Sequence, residues 1–147
     1  MTRVFVYYRL PNRLDAACGL VARACAQGKD FIIYTPDPER AQLIDRLLWT
    51  QAPLGFIPHC RADAPLAAET PVLIAGGAEH LETLPPTCSR ARLLNLDDGI
   101  PPGFERYENL IELVEENAAD RQRARERTRR YQAMGCEIRY TDMATKH

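Results

Sequence analysis

RVFVYYRLPNRLDAACGLVARACAQGKDFIIYT, residues 3–35, is the stretch that decides the fold. Arg3 to Tyr8 is rich in β-branched and aromatic residues, which suit the pleated, half-buried surface of a strand. Leu14 to Ala26 then follows an amphipathic helical period and stops at Gly28, because glycine enters the left-handed conformation of a helix end without steric cost. Phe31 to Thr35 is a short continuous apolar run, as expected of a strand covered on both faces. Strand, helix and strand in that order predict a βαβ unit, and hence parallel strands.

The same alternation continues outward from this unit. Asp37 is a good N-cap, Pro38 suits the first helical position, and Ala41, Leu43, Ile44, Leu47 and Leu48 supply an apolar face. A second helix is therefore predicted over Asp37 to Trp49. Val72 to Ala75 (VLIA) and Leu93 to Leu96 (LLNL) read as further strands. Past Pro101 and Pro102 the chain is predicted to be helical to about Met134, in two pieces. Asn117, with Asp120 three residues on, has the form of an N-cap with an acidic third position, which divides a helix over Glu105 to Glu115 from one over Ala118 to Met134. In the second piece Ala124, Thr128 and Tyr131 share a face suited to lying on a sheet. Gly135 stops it, and Cys136 to Tyr140 forms a last strand. The predicted fold class is α/β: one domain over residues 1–147, with an open, mostly parallel twisted sheet flanked by helices.

A chain of 147 residues buries roughly two thirds of its unfolded surface and needs no staples. Its five cysteines, at 18, 25, 60, 88 and 136, are odd in number and form no C-x-x-C pair. That pattern fits free thiols in a reducing cytoplasm better than disulfides or a zinc site. The start MTRVFVYYRL turns polar at once, and no apolar run approaches the ~18 residues of a membrane span, so a cytoplasmic protein is expected. Net charge is −1 and the isoelectric point about 6.3, short of the overall basic balance of a protein that wraps duplex DNA.

The basic charge is local. Six arginines fall between positions 121 and 130, and at helical spacing they sort into two stripes. Arg121, Arg125 and Arg129 lie four apart on one face. Arg121 and Arg125 have no Asp or Glu three or four residues away in either direction. On the other stripe Arg123 reaches Asp120 and Arg130 reaches Glu126, while Arg127 has no local acid and Arg129 shares Glu126. Like charges at this spacing destabilise a helix by a few tenths of a kcal/mol per pair, so an unneutralised stripe points to an acidic partner. A short acidic peptide suits so local a patch better than a long polyanion. A solvated face is the usual fate of such a run and remains the alternative.

Catalytic arrangements are missing. His59 and Cys60 are adjacent with Asp63 nearby, but neighbours in an extended chain point to opposite sides, so they read as a structural loop rather than a nucleophilic pair. The turn after the first strand carries neither G-x-G-x-x-G nor G-x-x-x-x-G-K, and Gly76-Gly77 after VLIA reads as a turn. No catalytic residue, metal or cofactor is expected. A second informative stretch, WTQAPLGFIPH from Trp49 to His59, puts the one tryptophan at a helix end, with Leu54, Phe56 and Ile57 in a Pro/Gly loop. Large apolar side chains placed so either cover the core or meet another protein.

With their order and spacing, these segments resemble the chi subunit family of bacterial DNA polymerase III holoenzyme, over essentially the whole chain. The most specific parts are the Trp-x6-Phe-x-Pro-His spacing (Trp49, Phe56, Pro58, His59) and A-R-E-R followed by Tyr and Gly; the stretch from about Ala62 to Ser89 carries little of it. The resemblance implies a Rossmann-like, non-catalytic accessory subunit associated with the clamp loader. It would pair with the psi subunit and bind the acidic C-terminal tail of the single-stranded DNA-binding protein, reaching DNA only indirectly. Carried over by position, the tail-binding residues fall on Arg121, Arg125 and Arg129, with Val114 lining the same site. Trp49 and Phe56, with Leu54 and Ile57, match the region that meets psi. Thr128 departs from the tyrosine often found in the family. A nucleotide-binding α/β enzyme and a direct single-stranded DNA binder remain the alternatives.

Overall fold

The computed structural model of the chain describes residues 2–50, 59–61, 72–77, 81 and 92–143. Among these the elements are β1 (Arg3–Leu10), α1 (Arg13–Ala26), β2 (Phe31–Tyr34), α2 (Pro38–Thr50), β3 (His59–Arg61), β4 (Val72–Ala75), β5 (Arg92–Asn95), a 3-10 turn (Phe104–Arg106), β6 (Asn109–Glu115), α3 (Ala118–Ala133) and β7 (Glu137–Asp142). The seven strands form one sheet in the order β3-β4-β2-β5-β6-β1-β7, and each pairing is parallel. The α/β class read from residues 3–35 therefore holds, with helices as the crossovers that parallel strands require.

Local signals place the helix ends. The Asn12 side chain accepts from the Asp15 amide at 3.0 Å and the Asp37 side chain from the Glu39 amide at 3.1 Å, so each satisfies an otherwise orphaned donor in a first helical turn. Gly28 ends α1 at φ 73, with the Lys29 amide donating back to the Ala24 carbonyl.

The chain leaves β1 toward β2 on one side of the sheet and leaves β6 toward β7 on the other. Right-handed crossovers running in opposite directions place their helices on opposite faces. Accordingly α1 and α2 bury Ala17, Val21, Ile44 and Leu48 against Ile33, Ile74, Leu94 and Leu113, while α3 buries Ala124 and Tyr131 against Val4, Val6, Leu110 and Val114. The strands buried on both faces read as continuous apolar runs for this reason, each buried Leu or Ile contributing about 1.5–3 kcal/mol.

One predicted element is corrected. Glu105 to Glu115 is not a helix: Phe104–Arg106 is a single 3-10 turn, and Asn109–Glu115 is β6, between β5 and β1. Its residues Leu110 to Val114 are all buried, including Glu112 at 2 % exposure. A glutamate on a central strand gives the segment a helix-like mixture of acidic and apolar residues, and only partners distant in sequence make that burial tolerable. Smaller differences are at ends: the last strand is Glu137–Asp142 rather than Cys136 to Tyr140, and His59 and Cys60 fall in edge strand β3 rather than a loop.

Candidate functional site

α3 is held at both ends by its own sequence. The Asn117 side chain accepts from the Asp120 amide at 2.7 Å, as the spacing predicts. At the other end Gly135 has φ 84, its amide donates to the Gln132 carbonyl, and the Cys136 amide donates to the Tyr131 carbonyl, the reciprocal pattern of a glycine-terminated helix.

The face that α3 buries is Asp120, Ala124, Arg127 and Tyr131, spaced four, three and four apart. Two of the four are charged, and each has partners. Asp120 accepts from the Glu115 amide at 2.8 Å and from Arg123 at 3.3 Å, and lies 3.6 Å from Arg13. Arg127 directs Nε to both oxygens of Glu112 at 3.2 Å and donates Nη1 to the Asp98 carbonyl at 2.7 Å. The same Glu112 carboxylate accepts from the Tyr131 hydroxyl at 2.5 Å and from Asn95 at 3.0 Å. Burial, then the adjoining carboxylate charge, push the Tyr131 hydroxyl well above its usual range, so it stays a donor.

Arg127 is thus corrected: with no acid three or four residues away on its helix, it is paired across fifteen residues and is 3 % exposed. Thr128 sits half-buried beside Ala124 and Tyr131 rather than flat on the sheet. Arg123 pairs with Asp120 as predicted, whereas Glu126 and Arg130 form no ion pair among the described residues.

The other stripe borders a cleft of about 420 Å³ between α3 and the sheet. Arg121, Arg125, Thr128 and Arg129 form its helix side, Val114, Val6 and Ala124 its floor, and Tyr8 and Tyr140 its far wall. All five residues predicted for an acidic-tail site, Val114, Arg121, Arg125, Thr128 and Arg129, therefore lie around one opening. Arg121, Arg125 and Arg129 are exposed and form no ion pair among the described residues. Thr128 donates its hydroxyl to the Ala124 carbonyl at 2.7 Å, which leaves its methyl group as its apolar contribution. Sequence reasoning missed Tyr8 and Tyr140, whose rings meet edge to face with centroids 6.4 Å apart. Their strands pair so that Val6 lies opposite Tyr140, a neighbourhood across 134 positions that no local spacing reveals.

The opposite crossovers at β1 and β6 make a topological switch point, where open α/β sheets commonly hold ligands. Here that crevice, about 180 Å³, is walled by Arg13, Arg40, Leu96 and Glu115. Arg40 donates to the Leu96 carbonyl, while Arg13 reaches the Asp97 carbonyl at 3.4 Å and the Asp98 carboxylate at 3.4 Å. Their guanidinium groups are engaged by the protein itself. Among the described residues no group of three His, Cys, Asp or Glu side chains could hold a metal, and no helix is long and apolar enough to cross a membrane.

Of the second predicted surface, Trp49 lies in the last turn of α2 with 56 % of its area exposed. Leu54, Phe56 and Ile57 lie outside the described residues.

Fold and cleft together define an α/β protein that carries a cationic, apolar-floored groove between α3 and its sheet. The chain belongs to the DNA polymerase III chi subunit family: the family model described as "DNA polymerase III chi subunit, HolC" matches residues 1–139. It is 34 % identical over 140 residues to the DNA polymerase III subunit chi of Pseudomonas aeruginosa, covering 92 % of each chain. It is 29 % identical over 125 residues to the subunit of that name from Haemophilus influenzae, covering 84 % of this chain and 83 % of the relative.

Proposed function

We propose that this protein is a non-catalytic accessory subunit of the cytoplasmic replicative polymerase, whose cleft binds the acidic C-terminal tail of the single-stranded DNA-binding protein and whose Trp49 surface pairs with psi. The observation that carries the tail reading is three exposed arginines, unpaired among the described residues, beside a cleft with apolar floor and aromatic wall.

Magnitudes assign the parts. Exposed ion pairs contribute about 0–1 kcal/mol each, so three arginines supply at most ~3 kcal/mol, whereas micromolar binding needs about 8. The remainder comes from an aromatic side chain entering the cleft, about 2–3 kcal/mol, and from charge-assisted hydrogen bonds to a carboxylate, about 1.5–3 kcal/mol each. The terminal phenylalanine of the tail and its carboxylate sit against Val114, Tyr140 and Arg125, and the preceding aspartates meet Arg121 and Arg129.

Titration of a fluorescent peptide carrying aspartates and a C-terminal phenylalanine tests this. Micromolar affinity that weakens with salt and with amidation of the terminus is expected; equal binding of acid and amide forms sinks the carboxylate assignment. For the second surface, Trp49→Ala is expected to weaken co-purification with psi while leaving peptide affinity unchanged. Undiminished co-purification with psi removes Trp49 from that interface.

A further inference from the structure

From the Glu112–Arg127 pair we infer that it is the positioning device of the cleft: it fixes the rotation of α3 that brings Arg121, Arg125 and Arg129 to the opening. This rests on the tail-binding reading and assigns a role to two residues that line no part of the cleft.

Three observations carry it. First, beyond Asp120, which ties the N-terminal end of α3 to the Glu115 amide, little else sets the rotation of its middle, since the buried face offers only Ala124 and Tyr131 as apolar contacts. Apolar packing of a small and a large residue tolerates slippage, whereas a guanidinium hydrogen-bonded to both oxygens of a buried carboxylate does not. Nε donates to both carboxylate oxygens at 3.2 Å and Nη2 lies within ion-pair distance of Oε1, 3.2 Å, both residues being at most 3 % exposed. Second, the carboxylate itself is immobilised. Tyr131 and Asn95 donate to one of its oxygens, and Asn95 also donates to the Gly99 carbonyl at 2.9 Å. Third, anchor and cleft share one row of the sheet. Glu112 on β6 lies opposite Val6 on β1, which lies opposite Tyr140 on β7. At ~4.8 Å per strand, the anchor stands one strand from the floor and two from the wall. On the helix, Thr128 directly follows Arg127, while Arg125 precedes it by two residues and so projects from the other side of the axis, turning with it as one body. Turning a helix of ~5–6 Å outer radius by about 20° carries its surface groups ~2 Å, enough to lose a hydrogen bond.

A buried ion pair confers geometry more dependably than stability, and replacing both partners with neutral groups of similar volume is often neutral or stabilising. That separates positioning from mere structural support. In the double variant Glu112→Gln/Arg127→Met, the amide oxygen still accepts from Tyr131 and the methionine occupies the guanidinium stem's volume. The expected result is a melting temperature within a few degrees of wild type, with affinity for the aspartate- and phenylalanine-bearing peptide weakened at least tenfold. Ile44→Val, in the core on the opposite face, is the control for instability as such: it lowers the melting temperature and leaves affinity within twofold. Wild-type affinity in the folded double variant overturns the inference. Should that variant fail to fold, Arg127→Lys keeps the charge without the fork and decides alone, at least threefold weakening supporting the inference and unchanged affinity overturning it. A wild-type protein that ignores the peptide overturns the tail-binding reading, and the positioning role with it.

Discussion

Replacing Arg125 with alanine separates binding from stability in opposite directions. Arg125 is exposed, has no ion pair among the described residues, and stands between Arg121 and Arg129 at one-turn spacing. Its removal eliminates two like-charge neighbours, each worth a few tenths of a kcal/mol, and substitutes the best helix former. Stability is expected to rise by up to ~1 kcal/mol, about 2–4 °C for a chain of this size. Affinity moves the other way. Loss of a charge-assisted hydrogen bond to the peptide carboxylate costs about 1.5–3 kcal/mol, or roughly ten- to 150-fold in Kd. Arg121→Ala and Arg129→Ala, which lose exposed ion pairs, are each expected to cost at most ~1 kcal/mol, about fivefold. Arg130 is the proper control, since it is exposed on the same helix and lines no part of the cleft. Arg127 would mislead, because its removal strands a buried carboxylate. Fluorescence anisotropy with a labelled tail peptide, paired with thermal unfolding of each variant, provides both readouts. Equal losses from Arg125→Ala and Arg130→Ala would falsify the assignment of the stripe.

Tyr140→Ser removes most of the aromatic wall and is expected to weaken peptide binding by about 1–2 kcal/mol, five- to thirtyfold, in the same titration; a peptide ending in alanine should not notice the change. Gly135→Ala forces a side chain into a left-handed residue at φ 84 and is expected to lower stability by about 1 kcal/mol, read as a reduced urea midpoint. Burial, and after it the Asp15 carboxylate, push the Cys18 thiol up to about 11, from an ordinary value of 9.0. The unfolded state therefore releases this proton first, so the contribution to stability is full below about pH 9 and is lost as pH rises toward 11. Urea midpoints measured from pH 8 to 10 should fall with pH in the wild type and fall less steeply in Cys18→Ala.

What the sequence disclosed follows from where its partners lie. β2, β4 and β5 were legible because strands covered on both faces are written as unbroken apolar runs, β1 because it is rich in β-branched and aromatic residues, and α3 because Asn117 and Gly135 carry their signals within a single turn. β6 was hidden by Glu112, whose burial depends on Arg127, Tyr131 and Asn95, fifteen to nineteen residues away. The arginine stripe could be read from spacing, since the absence of local acids is itself a local property. The fate of Arg127 and the aromatic wall could not: both depend on β1, β6 and β7 lying side by side, which is a property of the assembled sheet.

That adjacency also bears on how the protein is made. β1 precedes the other described strands in the chain, and among them it is hydrogen-bonded to β6 and β7, which come after the other four. Arg3 pairs with Asn109 and Glu137, so at 5–20 residues per second β1 waits roughly 7–27 s for both of its neighbours. During translation β1 keeps two vacant edges, and they are filled only once β6, α3 and β7 have emerged. A nonsense mutation ahead of residue 137 therefore removes more than a peripheral strand: it leaves Val4 and Val6 beside an open edge, and it marks the truncated product for aggregation or degradation.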